Sequence, residues 1–342
     1  MSVKIQNNEV GMVSIMITMI MMLVITLIVI GFAQVTRRNQ REALDRQLST
    51  QAYYAAETGV NDAVKYLSTA PIGSLATNTD CTSFITTAGL AAKAKLSNSS
   101  QYTCLQVDPN PPELTQAPLS SSASTVWPIK DANGKKFKSL TFAWDKNSAY
   151  AGASSCAVPL ATFPPVGAWN CKFGVLRVDL VQVDSSAVGT DGAGLAQETV
   201  SLFLKPSGGA PSYTLFDFKN NANKSILVSG SCTATTCSST LNFLATASSF
   251  EYYARITMLP YQSSDSVTLT GTTATGPALF TGGQAIIDST GKSQDELRRI
   301  QERVPLTAAL NNLPLPQNSL ESTGAICKQL TVSTGLYQSL CP

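Results

Sequence analysis

Eight cysteines (Cys81, Cys104, Cys156, Cys171, Cys232, Cys237, Cys327 and Cys341) and no histidine bound the chemistry open to this chain of 342 residues. Without an imidazole, Ser-His-Asp and Cys-His nucleophiles cannot be assembled, and histidine metal sites are excluded. No Cys-x2-Cys pair occurs either, so the cysteines lack zinc-site spacing and no metal is predicted. One Ser-x-x-Lys, Ser289 to Lys292, has the spacing of a Ser-Lys acyl-transfer pair. It falls in an expected turn, whereas that chemistry needs the serine opening a buried helix so that its lysine can be neutral. Gly189 to Gly194 (GTDGAG) lacks the lysine and hydroxyl of a phosphate loop and reads as a flexible loop. Asp108, Asn110, Glu113 and Asp191 lack the regular oxygen-ligand spacing of a calcium loop and read as solvated turns. No catalytic residue and no cofactor is predicted, and the chain is read as non-enzymatic.

The remaining use for an even set of cysteines is disulfides in an exported domain. Connectivity is open from sequence. Pairing of sequence neighbours is the simplest set: Cys81–Cys104, Cys156–Cys171, Cys232–Cys237 and Cys327–Cys341, each closing a short loop.

The element that must position everything else lies upstream. Between Glu9 and Arg37 there is no charge, and Met12 to Ala33 reads MVSIMITMIMMLVITLIVIGFA. At about 1.5 Å per residue this helix reaches roughly 33 Å, enough to cross the hydrocarbon core of a bilayer. The hydroxyls of Ser14, Thr18 and Thr26 can bond back to the preceding turn, so they cost little in lipid. A signal peptide fits poorly, because the run is too long and no small-x-small cleavage site follows. Beyond Arg37, Arg38 and Arg41, the positions Leu44, Leu48, Ala52, Ala55, Gly59, Ala63 and Leu67 recur every three or four residues. They form a narrow stripe of small residues suited to close packing against a partner helix. Nothing breaks the pattern before Pro71, so one helix from Met12 to about Ser68 is expected, half of it outside the membrane.

The short leader ending in Gly11, the apolar run that follows and QAYYAAETGVNDAVKYL (Gln51 to Leu67) resemble the amino-terminal region of type IV pilin-like proteins, most closely PilX-type minor pilins. The resemblance implies cleavage after Gly11 by a prepilin peptidase and methylation of the new amino terminus at Met12. It also implies packing of the helix, through Met16 and the stripe from Leu44 to Ala63, against other pilin-like subunits and the pilus assembly machinery. Filament-building members usually carry a glutamate five residues into the mature chain; here that position is Met16. A buried carboxylate needs a positive partner such as a neighbouring amino terminus. Its absence, shared with the tip subunit of type II secretion pseudopili, points to a tip or initiating position.

Orientation draws on two opposed signals. Arg37, Arg38 and Arg41 after the span outweigh Lys4 and Glu9 before it, which by the positive-inside rule favours a cytoplasmic carboxyl side. The cysteines all follow the span and favour an oxidising compartment. The expectation is a single-pass protein of the inner membrane with residues after about 34 outside the cytoplasm. Membrane lipid is then a partner. Nucleic acid is not, since a net charge of +2 gives no broad basic footprint and snorkelling accounts for the arginines.

The expected fold class is α+β, a long amino-terminal helix followed by a β-rich, disulfide-containing region. The segments are a leader (1–11), a transmembrane half-helix (12–33), an extramembrane half-helix (34–70) and a β-rich region (71–342) with a subdivision near 206. Alternation marks strands at Leu140, Phe142 and Trp144 after an Asn133-Gly134 turn, at Leu176, Val178 and Leu180 opposite Arg177 and Asp179, and at Val200, Leu202 and Leu204. A further strand is marked by Phe250, Tyr252, Ala254, Ile256 and Met258; each should bury one face and wet the other. Loops are expected at 108–124, 157–168, 185–194 and 205–212. Gln284 to Val304 resembles the final hairpin of pilin-like domains, with a turn at Thr290-Gly291. It admits a helical reading as well, with Ser293 and Glu296 as a capping box.

Overall fold

An uninterrupted apolar run followed by good helix formers, with no proline before residue 71, leaves the backbone no reason to break. In the computed structural model it forms a single helix, α1 (Val10–Thr69), about 90 Å long at about 1.5 Å per residue. The structure describes residues 10–70, 75–96, 100–121, 123–150, 169, 171–184, 199–207, 212–215, 225–243, 250–259 and 262–306. Two short helices follow, α2 (Ser83–Thr87) and α3 (Ala91–Ala94). The strands then run β1 (Ser100–Asp108), β2 (Glu113–Gln116), β3 (Ser124–Ile129), β4 (Phe137–Asp145), β5 (Leu176–Asp184), β6 (Thr199–Ser207) and β7 (Ser212–Leu215). They continue with β8 (Ser225–Cys232), β9 (Thr236–Phe243), β10 (Phe250–Met258), β11 (Val267–Thr273), β12 (Gly276–Pro277), β13 (Gln284–Ser293) and β14 (Glu296–Pro305). The class is α+β.

The chain divides into two compact units. The first contains α1, residues 78–108 and residues 286–303. Its sheet has the order β1-β13-β14, with β1 antiparallel to β13. The outer edge of β1 is closed by Asn78, which bridges Val107, and by Leu105 N–H donating to the Cys81 carbonyl (3.0 Å). The disulfide Cys81–Cys104 ties these segments together. The Asp80 carboxylate accepts from the Thr82 and Ser83 amides at the start of α2, which holds its pKa below the ordinary value.

The second unit is built on an eleven-stranded sheet of order β12-β11-β4-β9-β8-β6-β5-β10-β3, with β2 added on β11 and β7 on β9. Among the described residues the strand pairings of this sheet are antiparallel except β6 with β8 and β7 with β9. Period-two alternation sends Leu140, Phe142 and Trp144, Leu176, Val178 and Leu180, Val200, Leu202 and Leu204, and Ala254, Ile256 and Met258 into one core. The Trp144 indole finds its partner in the Gly174 carbonyl (3.1 Å) and that of Trp169 in the Phe173 carbonyl (3.0 Å), as buried indoles require.

Several expectations are corrected here. The faces opposite the core are not uniformly wet: Asp179 is buried and receives Arg177 Nε (2.8 Å) and the Ser201 hydroxyl (2.6 Å), and Lys205 is 1% exposed. The loop expected over 108–124 contains β2, because Glu113–Gln116 pair antiparallel with Val267–Thr270 of β11; the Gln284 side chain also accepts from Thr115 N–H (2.8 Å) and donates to its carbonyl (2.6 Å). Residues 205–207, expected as loop, end β6, and the subdivision expected near 206 falls within that strand, where Pro206 is opposite Gly230 of β8. The loops expected at 157–168 and 185–194, which include Asp191 and GTDGAG, lie outside the described residues.

Gln284 to Val304 is a strand hairpin, but its turn is Gln294-Asp295, with Gln294 at φ 50°. β13 runs straight through Thr290-Gly291, so that glycine serves another purpose.

Candidate functional site

The long helix is the candidate site, and it has two halves with different surroundings. From Val13 to Gln47 every residue of α1 is exposed, including Met16 at 66% and Leu44 at 57%. Two of its hydroxyls bond back within the helix, Thr18 to the Ile15 carbonyl (2.9 Å) and Thr26 to that of Met22 (2.7 Å), and from Val13 to Ala33 the helix presents hydrocarbon on all sides. This is a helix of membrane-crossing length and composition.

The second half is held by its own unit. Ala52, Ala55, Ala56, Gly59, Val60, Ala63 and Leu67 are buried. Small residues are needed there because the sheet comes very close. A Cβ on Gly59 would collide with the Ser289 hydroxyl and lie 3.1 Å from Tyr102 Cγ; one on Gly291 would run into the Ala52 carbonyl and the Ala56 nitrogen. Polar bonds fix the register: Ser293 Oγ donates to Gln51 Oε1 (3.0 Å), Arg298 Nε to Ser49 Oγ (2.8 Å), and the Tyr102 hydroxyl to Asp62 (3.1 Å). Burial first, and then the Asp62 carboxylate, push the Tyr102 phenol well above its usual pKa. Arg299 grips Asp288 with both Nε and Nη2, and that carboxylate raises the guanidinium above its ordinary pKa.

The stripe read as an assembly surface is therefore corrected. Ala52, Ala55 and Gly59 pack on β1 and β13 of the same chain, Ala63 is buried, Leu48 is half-buried, and only Met16 and Leu44 of that set stay exposed. Sequence reasoning missed Tyr102, Ser289 and Gly291 as the partners of the stripe; Gly291 was visible, but as a turn residue.

Residues 11–61 match the PilX N-terminal family model. The match covers the exposed half of α1 and the stripe as far as Gly59, and stops before Ala63. Comparison with curated proteins and with solved structures returns no match. The PilX-type segment thus comprises both the hydrocarbon half and the first turns clamped by the sheet, and the β-rich remainder lies beyond it.

Other predicted positions fall as follows. Cys81–Cys104 and Cys232–Cys237 are bonded as sequence neighbours, and Cys171 is disulfide-bonded. Cys156, Cys327 and Cys341 lie outside the described residues. Gly11 and Met12 belong to α1, while 1–9 of the leader is not described. Ser289 is fully buried and Lys292 exposed, on opposite faces of β13, so the Ser-x-x-Lys spacing brings no dyad together. Asn110 donates to the Leu75 carbonyl (3.1 Å), and Glu113 stands opposite Thr270 in the β2–β11 ladder.

Proposed function

We propose that this chain is a minor, tip-associated type IV pilin-like subunit, cut after Gly11 by a prepilin peptidase, methylated at Met12, and assembled with other pilin-like subunits through the exposed half of α1. The observation that carries the reading is the coincidence of the PilX N-terminal match with a helix whose first half exposes hydrocarbon on every side while its second half is already occupied. Such a surface needs lipid before assembly and apolar neighbours after it. Met16 supports a terminal position, since no carboxylate is present there to pair with a neighbouring amino terminus. The disulfides support a β-rich region outside the cytoplasm, displayed on the pilus or cell surface for contact rather than catalysis.

Immunogold labelling of sheared filaments against the β-rich region tests the proposal. Label confined to filament ends is expected. Label in the cell envelope alone, with the leader retained, would instead support an unprocessed adhesin or binding protein that uses α1 only as an anchor.

A further inference from the structure

Arg37, Arg38 and Arg41 lie within the first two turns after the hydrocarbon half of α1. At about 100° per residue their Cα positions span an arc of only about 100° on one side of the helix. All three are exposed, and none makes an ion pair among the described residues. The contrast with Arg46 is informative: that side chain is taken by Glu42 one turn earlier (2.6 Å), whereas nothing comparable neutralises the other three. Among the described residues the acids close by on the helix are Glu42, already engaged, and Asp45, and no other described element of the unit covers this part of the helix.

Their position opposes the usual charge bias. If the disulfide-bonded region is outside the cytoplasm, these cations flank the span on the side where arginine is normally depleted. Snorkelling seats each of these arginines at headgroup depth, and their clustering on one side of the helix makes a shared cationic face. The guanidinium fork matches phosphate oxygens in pairs, and three forks on one arc at headgroup depth match a surface of negative phosphates.

We propose that Arg37, Arg38 and Arg41 form a binding face for anionic phospholipid headgroups in the leaflet on the carboxyl side of the span. The inference rests on the reading that the apolar half of α1 crosses a membrane. The face holds the subunit in an anionic lipid environment before assembly, and the contact is given up when the helix leaves the bilayer.

The full chain, reconstituted in vesicles of equimolar phosphatidylglycerol and phosphatidylcholine, is probed with spin-labelled forms of each lipid. A motionally restricted lipid component for both probes establishes that the helix spans. Phosphatidylglycerol should then be enriched at the helix; a basic residue near an anionic surface contributes about fivefold to partition. Added sodium chloride should weaken the enrichment. The triple variant Arg37→Gln, Arg38→Gln, Arg41→Gln should lose it while keeping the restricted component, and Arg46→Gln should keep it. Equal association of both lipids with the native chain, or enrichment unchanged in the triple variant, would overturn the proposal while leaving the span intact. Selective displacement by inorganic phosphate over chloride at equal ionic strength would also overturn it, by assigning the arginines to a free anion. Absence of any restricted lipid would instead remove the spanning reading beneath it.

Discussion

Gly291→Ala should loosen α1 from its sheet. The added methyl would meet backbone on the far side, the Ala52 carbonyl and the Ala56 nitrogen, and neither can rotate away as a side chain would. Overpacking of this kind costs up to about 3 kcal/mol. Replacing glycine in a strand returns roughly 1 kcal/mol of backbone entropy. The net loss is about 2 kcal/mol, or about 30-fold in the local opening equilibrium. Hydrogen exchange by mass spectrometry on the full chain in micelles reads this directly: amides between Ala52 and Ala63 should exchange about 30-fold faster, with peptides of the second unit unchanged. Gly59→Ala provides the internal control. There the methyl meets the Ser289 hydroxyl and the Tyr102 ring, which can give, and helix propensity returns about 1 kcal/mol, so the change should stay within about fivefold. The Ser289 hydroxyl is fully buried without a hydrogen bond among the described residues, so Ser289→Ala should slow exchange in the same peptides. Unaltered exchange in Gly291→Ala would refute the close approach of helix and strand.

Other perturbations report on separate parts of the account. Tyr102→Phe removes the bond to Asp62 and should cost about 1 kcal/mol at neutral pH. Because the folded state holds the Tyr102 proton more tightly than an unfolded tyrosine does, native stability should be full below about pH 10 and fall as pH rises beyond it; the phenylalanine variant should show a shallower alkaline loss in exchange of α1 amides. Replacing Cys81 and Cys104 with serine opens a loop of sequence separation 23, for which chain entropy gives about 3 kcal/mol, whereas the separation of 5 at Cys232–Cys237 gives about 2 kcal/mol. Urea unfolding followed by tryptophan fluorescence should register only the second change, since Trp127, Trp144 and Trp169 all belong to the second unit. Met16→Glu should move labelled protein from filament ends into the shaft; an unchanged distribution would remove the argument from the missing carboxylate.

Where residue patterns map to one physical outcome, the fold was legible. A charge-free run of membrane length has no alternative to helix, and the alternation at Leu140, Phe142 and Trp144 or at Leu176, Val178 and Leu180 buries one strand face whatever the topology. The two resolved neighbour disulfides were legible for a similar reason, since short loops close most easily. Ambiguity entered where one pattern serves two purposes. Small residues at three- and four-residue spacing permit close approach of anything, and here the partner of Ala52, Ala55 and Gly59 is a strand pair far downstream in sequence rather than a neighbouring helix. Glycine likewise marks both turns and tight contacts. Gly291 was read as the first and is the second, while the turn went to Gln294-Asp295, a pair with weak turn signal. Strand β2 was hidden because it is only four residues long and owes its place to the ladder with β11 more than 150 residues away, which no local periodicity records.

On the proposed function, α1 is a processed pilin-type assembly helix. Amino-terminal sequencing and intact mass of the protein recovered from cells test it most directly. A chain that begins at N-methylated Met12 is expected; a mass retaining Met1 to Gly11 would contradict that function and leave α1 as a plain membrane anchor.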